Sequence, residues 1–314
     1  MSSGITGKEY PLCKIFCNDF EFHIPGYQRP YAWEEDQTEE LFSDLYDFFK
    51  SDPTGNYFLG NIVLIKDEHE AKAQVIDGQQ RLTTLTIMLA VIADLFPAQR
   101  PTLKQYIQSE GNAIEGIAAQ PRLFLREKDR EFFKKYIQDI CLKDLVSLDP
   151  ASLDTEAKQH IQANCRLLRT RIMDTFVGGD PDGLMKFSQF LLKCCYLVVV
   201  YTPSRDSAFR IFSVMNTRGL DLLPIDIIKS DTIGGMSEID RDAYTERWEE
   251  MEAKTGRDGF NEVIKHTRTV FIKERIKTNL LEEFQNGILP KVDPKKLIDD
   301  YLVPYTEAYV CLKG

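Results

Sequence analysis

At 314 residues with 43% hydrophobic content, the chain can bury the core of one large or two modest domains, which excludes wholesale disorder. Its formal net charge of -10 excludes a general basic coat for nucleic acid, so any contact to DNA or a nucleotide must be local, through a few Arg and Lys side chains in a cleft. No apolar run reaches membrane-spanning length, and Met1-Ser2-Ser3-Gly4 lacks the basic start and apolar core of a signal peptide, so a cytoplasmic protein without membrane contact is expected.

The seven cysteines are scattered and odd in number. Cys13 and Cys17 have no second Cys or His pair in a zinc pattern, so reduced, mostly buried thiols are expected. In the opening segment, Leu12, Ile15, Phe16 and Phe20 fit one side of a helix or an irregular lead-in. Phe22 to Trp33 follows, with Pro25 and Pro30 preventing an ordinary helix, so it reads as a strand and then an extended loop. This loop carries Tyr27, Gln28, Arg29, Tyr31 and Trp33. Aromatic faces beside an Arg can stack a base and hold a phosphate; the same aromatics can equally cover the core.

Glu34 to Lys50 is an amphipathic helix with Leu41, Leu45, Phe48 and Phe49 on its apolar stripe. Tyr57 to Lys66 reads as a strand interrupted at Gly60 and Asn61, where a bulge or a close ligand is expected. Ala73 to Ile76 is a further short strand, and Leu82, Leu85, Met88, Leu89, Ile92 and Leu95 recur at helical spacing behind it. Between them, Asp77-Gly78-Gln79-Gln80-Arg81 occupies a strand-to-helix turn. Free backbone N–H groups and the positive end of a helix dipole make such a turn hospitable to an anion. Gly78 lets backbone approach a ligand, Arg81 can fork onto phosphate, and Asp77 can hold a metal or water or simply cap the helix.

From about residue 100 to 193 the chain reads as helices, with Arg122 to Leu125 a short extended segment. Val177 to Gly183 is the strongest linker signal, serving as a domain boundary or a helix–helix loop. Leu197 to Thr202 reads as a buried strand, followed by a helix from Asp206 and another entered through Pro224. Asn216, Arg218, Asp226 and Lys229 form a second polar cluster that reads, by residue type alone, as caps and surface charges. The remainder is mainly helical with a turn at Thr255 to Gly259, and Trp248 and Phe260 read as packing residues.

Three segments in this order, Ile24-Pro25-Gly26-Tyr27-Gln28-Arg29-Pro30-Tyr31-Ala32-Trp33, Asp77 to Leu85 and Phe212 to Gly219, resemble the GmrSD-type N-terminal domain. The resemblance implies an α+β fold: a small ParB/sulfiredoxin-like mixed sheet with helices, followed by a mainly helical region. The parts would be a core at 1–100, a helical insertion at 101–193, and at 194–314 a strand returning to the core plus C-terminal helices. The family implies nucleotide-dependent DNA restriction and phage defence. Asp77, Gln79, Gln80 and Arg81 then become the candidates for NTP hydrolysis. Gly78, Arg81, Asn216, Arg218 and Lys229 become those for holding the nucleotide (GTP, ATP or another, with Mg2+ as a companion ion). By similarity to SspE-type relatives, Tyr27, Gln28, Arg29, Tyr31 and Trp33 become candidates for contacting DNA, modified DNA included. Relatives carry an HNH nuclease domain, but the four histidines His23, His69, His160 and His266 form no such signature. The nuclease is therefore expected in a continuation of the chain or on a partner subunit, and an oligomer is compatible. The alternatives are a nucleotide- or DNA-binding module without turnover, and a domain that cuts DNA itself.

Overall fold

The computed structural model describes residues 4–111, 114, 116, 118–177, 180–215, 224–234, 236–275, 277 and 279–313. The chain divides into two units, Met1–Pro25 with Arg29–Phe212, and Gly26–Gln28 with Ser213–Gly314.

The first unit holds a six-stranded mixed sheet, which bears out the α+β expectation. Its strands are β1 (Thr6–Pro11), β2 (Glu21–His23), β3 (Tyr57–Lys66), β4 (Lys72–Asp77), β5 (Leu123–Phe124) and β6 (Cys195–Thr202), in the order β1-β6-β3-β4-β2-β5. β1 pairs antiparallel with β6, from Thr6 opposite Tyr201 to Pro11 opposite Tyr196. β3 runs parallel to β6 and antiparallel to β4. β2 is parallel to both of its neighbours, β4 and β5. The register of β3 slips between Phe58 and Asn61, where Gly60 has φ 105°. The interruption expected there is thus a bulge.

The opening segment differs from its expectation. Its first part is the strand β1, and only Leu12–Ile15 (α1) is helical. The pattern hides this strand because β1 lies at the edge of the sheet, where three of its six residues are exposed and apolar alternation is not required. Helices α2 (Glu35–Ser51) and α3 (Gln79–Leu95) match their apolar periodicities. α3 is buried from Leu82 through Ala93, as expected of a helix that is apolar nearly all round. Farther on are α4 (Arg100–Lys104), α5 (Glu127–Phe133), α6 (Leu142–Ser147), α7 (Glu156–Ile172), α8 (Pro181–Cys194) and α9 (Arg205–Met215). One core cluster joins strand residues such as Phe22, Ile62, Val75 and Leu197 to Leu85, Met88 and Ile92 of α3 and Ile161 and Leu168 of α7.

The second unit contains α10 (Pro224–Gly234), α11 (Glu238–Ile272), α12 (Leu280–Gly287), α13 (Pro294–Lys296) and α14 (Val303–Lys313). Its own core centres on Trp248, whose ring meets Phe260 edge-on at 5.3 Å. Both are fully buried, so their reading as packing residues holds. The turn expected at Thr255 to Gly259 is instead a local break in α11 at Gly256, with φ 67° and ψ 165°. The seven thiols are all free, but only Cys165 and Cys195 are buried; the expectation of mostly buried thiols is corrected, because Cys13, Cys17 and Cys194 pack against the core only half-buried, Cys141 is half-buried and Cys311 is exposed. No single helix among the described residues is long and apolar enough to cross a membrane.

Candidate functional site

β4 delivers its carboxyl end at Asp77, and Gly78 turns the chain into α3. Gly78 has φ 95°, and a Cβ there would lie 2.3 Å from Ile62 Cγ2. Glycine is required here by packing against β3 as well as by backbone conformation. No side chain caps α3, and its first intrahelical bond runs from Leu82 N–H to the Gly78 carbonyl at 3.0 Å. The N–H groups before Leu82 therefore lack intrahelical partners.

The residues of the turn diverge to two sides of the helix. On the β3 side, the Arg81 guanidinium lies against Gly60, where a Cβ would come within 3.1 Å of its central carbon and both terminal nitrogens. Arg81 donates one hydrogen bond, Nη1 to the Asn61 carbonyl at 3.2 Å, and its other donors have no protein partner among the described residues. Burial lowers its pKa, with Asp77 and then Tyr57 acting against that shift. Burial likewise pushes the Asp77 carboxyl up, against a hydrogen bond from the Gly78 N–H and the charge of Arg81. Asp77 and Arg81 are thus electrostatic neighbours in a half-buried corner.

On the other side, Gln80 holds the aromatic loop. Its Oε1 accepts from Ala32 N–H at 2.8 Å and Trp33 N–H at 3.2 Å, and its Nε2 donates to the Pro30 carbonyl at 3.0 Å. Asn164 of α7 donates to the Tyr31 hydroxyl at 2.8 Å and the Trp33 carbonyl at 2.6 Å. The Tyr31 hydroxyl also pairs with Thr84 Oγ1 at 2.7 Å, and Thr84 donates in turn to the Gln80 carbonyl at 3.0 Å. Tyr31 is buried, and burial pushes its pKa up to about 12. Its ring belongs to the core, and Trp33 packs against that core half-buried. Arg29 is exposed in the first unit, whereas half-buried Tyr27 and buried Gln28 fall in the second.

A pocket opens beside this loop, lined by Ile24, Arg29, Tyr31, Gln79, Gln80, Thr83, Leu125, Arg126 and Asp129. It lies past the carboxyl ends of the three mutually parallel strands β4, β2 and β5, a recurrent location for ligands in sheets with parallel strands. Arg126 and Asp129, absent from the candidates read from sequence, are 8% and 2% exposed and pair at 3.4 Å.

Of the second polar cluster, Asn216 and Arg218 lie outside the described residues. Lys229 is not the surface charge its sequence context suggests. It is 3% exposed, with Nζ 3.4 Å from Glu249 and 3.8 Å from Glu252 of α11. A lysine on the packed face of α10 needs these carboxylates to offset its desolvation. Burial raises the pKa of Glu252, and Lys229 opposes that rise.

Fold and geometry together define a mixed α/β domain with a polar, arginine-bearing site at the carboxyl ends of its parallel strands. Residues 12–233 match the family model of the GmrSD restriction endonuclease, N-terminal domain. The chain belongs to that family, and with it to restriction and phage-defence systems whose substrate is DNA and whose partner is a nuclease domain. No curated protein matches the chain.

Proposed function

We propose that this chain binds and hydrolyses a nucleoside triphosphate, senses DNA, and gates the nuclease of its restriction system. The observation that carries this reading is Arg81. Its guanidinium is laid flat against Gly60, tied by one bond to Asn61, and keeps its remaining donors beside Asp77 and the uncapped start of α3. A fixed guanidinium next to free backbone N–H groups suits the charge that builds on a phosphoryl group in flight. Asp77 is the carboxylate of this corner and would orient water; Gln79 lines the pocket on the loop side of α3. Among the described residues no group of three His, Cys, Asp or Glu side chains could hold a metal. A Mg2+ ion would accordingly come with the nucleotide's phosphates, with Asp77 as its protein ligand.

Gln80 in this scheme positions the loop bearing Arg29, and Tyr27, Gln28 and Arg29 contact DNA. Tyr31 and Trp33 support the loop from the core side. The test is phosphate release from ATP, GTP and the other triphosphates, with and without modified DNA, by wild type and Arg81→Ala. Turnover lost in the variant is expected. Arg81→Ala hydrolysing like wild type would overturn the assignment, and wild-type binding without turnover would reduce the domain to a nucleotide switch.

A further inference from the structure

Tyr57 stands at the Arg81 corner but belongs to neither motif. It opens β3, three residues before Gly60, the glycine against which the Arg81 guanidinium lies. On β3 the large core cluster takes Leu59, Ile62 and Leu64 and leaves out Val63, which marks the side of the sheet that it occupies. Tyr57 packs against this same cluster, together with Leu82 and Leu85 of α3, so its ring and α3 share that side. Phe48 of α2 fixes the ring, meeting it edge-on with centroids 5.1 Å apart. The side chain is half-buried, and its hydroxyl makes no hydrogen bond among the described residues. Burial raises its pKa, Asp44 and Glu40 of α2 add to the rise, and Arg81 opposes it; the phenol therefore keeps its proton at neutral pH and can donate it. Arg81, whose pKa burial lowers, is supported first by Asp77 and then by Tyr57. Yet no hydrogen bond joins the phenol to the guanidinium. The two side chains thus bring donors to one corner and leave each other unsatisfied. A group bearing several anionic oxygens satisfies both.

We infer that Tyr57 is a phosphate-contacting residue of the Arg81 corner, its hydroxyl donating to an oxygen of the same phosphate group that the Arg81 guanidinium holds. The inference rests on the nucleotide reading of that corner and adds to it a donor from β3, outside the strand-to-helix turn. Because Phe48 already holds the ring, the contact orders little that was free before the ligand arrives. The hydroxyl contributes a bond to phosphate without contributing charge, which leaves Arg81 as the cation of the pair.

The test is isothermal titration of ATP and of GTP, with Mg2+ present, into wild type, Tyr57→Phe and Arg81→Ala. Thermal melts and phosphate release are measured on the same samples. Tyr57→Phe keeps the ring and its packing on Phe48 and removes one oxygen that holds no protein partner, so its Tm should equal that of wild type. A loss of about ten- to hundredfold in affinity for a triphosphate, at unchanged Tm, supports the inference. A Tyr57→Phe protein that binds like wild type, beside an Arg81→Ala protein that does not, overturns it and leaves the nucleotide reading standing. An affinity loss accompanied by a lowered Tm also overturns it, because the hydroxyl is then structural. Tyr57-dependent binding without phosphate release keeps the inference and defeats hydrolysis. A wild type that binds neither triphosphate overturns both.

Discussion

The side-chain oxygen of Gln80 accepts the backbone N–H of Ala32 at 2.8 Å, across 48 residues of sequence. With the companion bonds to Trp33 and Pro30, one carboxamide fastens the aromatic loop to the first turn of α3. The Pro30–Trp33 end of the loop and the Asp77–Arg81 turn are thereby joined within the first unit.

Gln80→Ala removes all three bonds and leaves loop N–H and C=O groups short of partners. The expected cost is about 1–3 kcal/mol, read as a lowered urea midpoint at unchanged m-value. Gln80→Glu keeps the acceptor for Ala32 and Trp33 but cannot donate to Pro30, so its loss should be smaller. A Gln80→Ala protein as stable as wild type would remove Gln80 from this positioning role.

At Gly78 the prediction concerns coupling. Gly78→Ala meets Ile62 and holds an L-residue at positive φ, so it should cost more than about 2 kcal/mol. Ile62→Ala removes the clashing methyl. The double variant should therefore be less destabilised than the sum of the singles by about 1 kcal/mol or more in a double-mutant cycle.

Gly60→Ala tests the Arg81 platform without touching its charge. The added methyl occupies the space under the guanidinium, and φ is again unfavourable. Nucleotide affinity should fall about tenfold, approaching the loss in Arg81→Ala, in an isothermal titration. Arg81→Lys should not restore it, because an ammonium cannot reproduce the flat, forked contact.

Asp77 sets a pH dependence. Burial raises its folded pKa above the ordinary 3.8, so the folded state holds a proton that the unfolded state has released in the window between 3.8 and the raised value. Stability falls as pH rises through that window, and the loss is complete above it. Asp77→Asn is neutral throughout. Its Tm should match wild type below pH 3.8 and exceed it at neutral pH, as thermal melts across that range would show. A variant less stable than wild type at neutral pH would reverse the sign.

Sequence periodicity is a good guide where burial is one-sided or complete. Leu82 to Leu95 announces α3, and Ala73 to Ile76 announces β4, because each buries an apolar pattern that its few polar residues (Thr83, Thr84, Thr86 and Asp94 in the first, Gln74 in the second) leave readable. β1 is silent because Thr6 to Pro11 sits at the sheet edge with half its residues in solvent. The site is legible only in part for a different reason. A glutamine that lines a pocket and one that holds a distant backbone look alike in a sequence, so Gln79 and Gln80 cannot be told apart before the loop is docked. Arg126, Asp129 and Asn164 reach the site through the pairing of β2 with β5 and the packing of α7, contacts that no local spacing encodes.

The pairing of β1 with β6 also bears on how the chain is made. The first strand has no neighbour until Tyr201 exists, and β3 keeps an open edge until then. At about 5–20 residues per second, synthesis leaves that edge exposed for roughly 7–27 s. Nascent chains halted before β6 would offer β3 to any passing strand, so an intact product depends on finishing translation or on being chaperoned until it does.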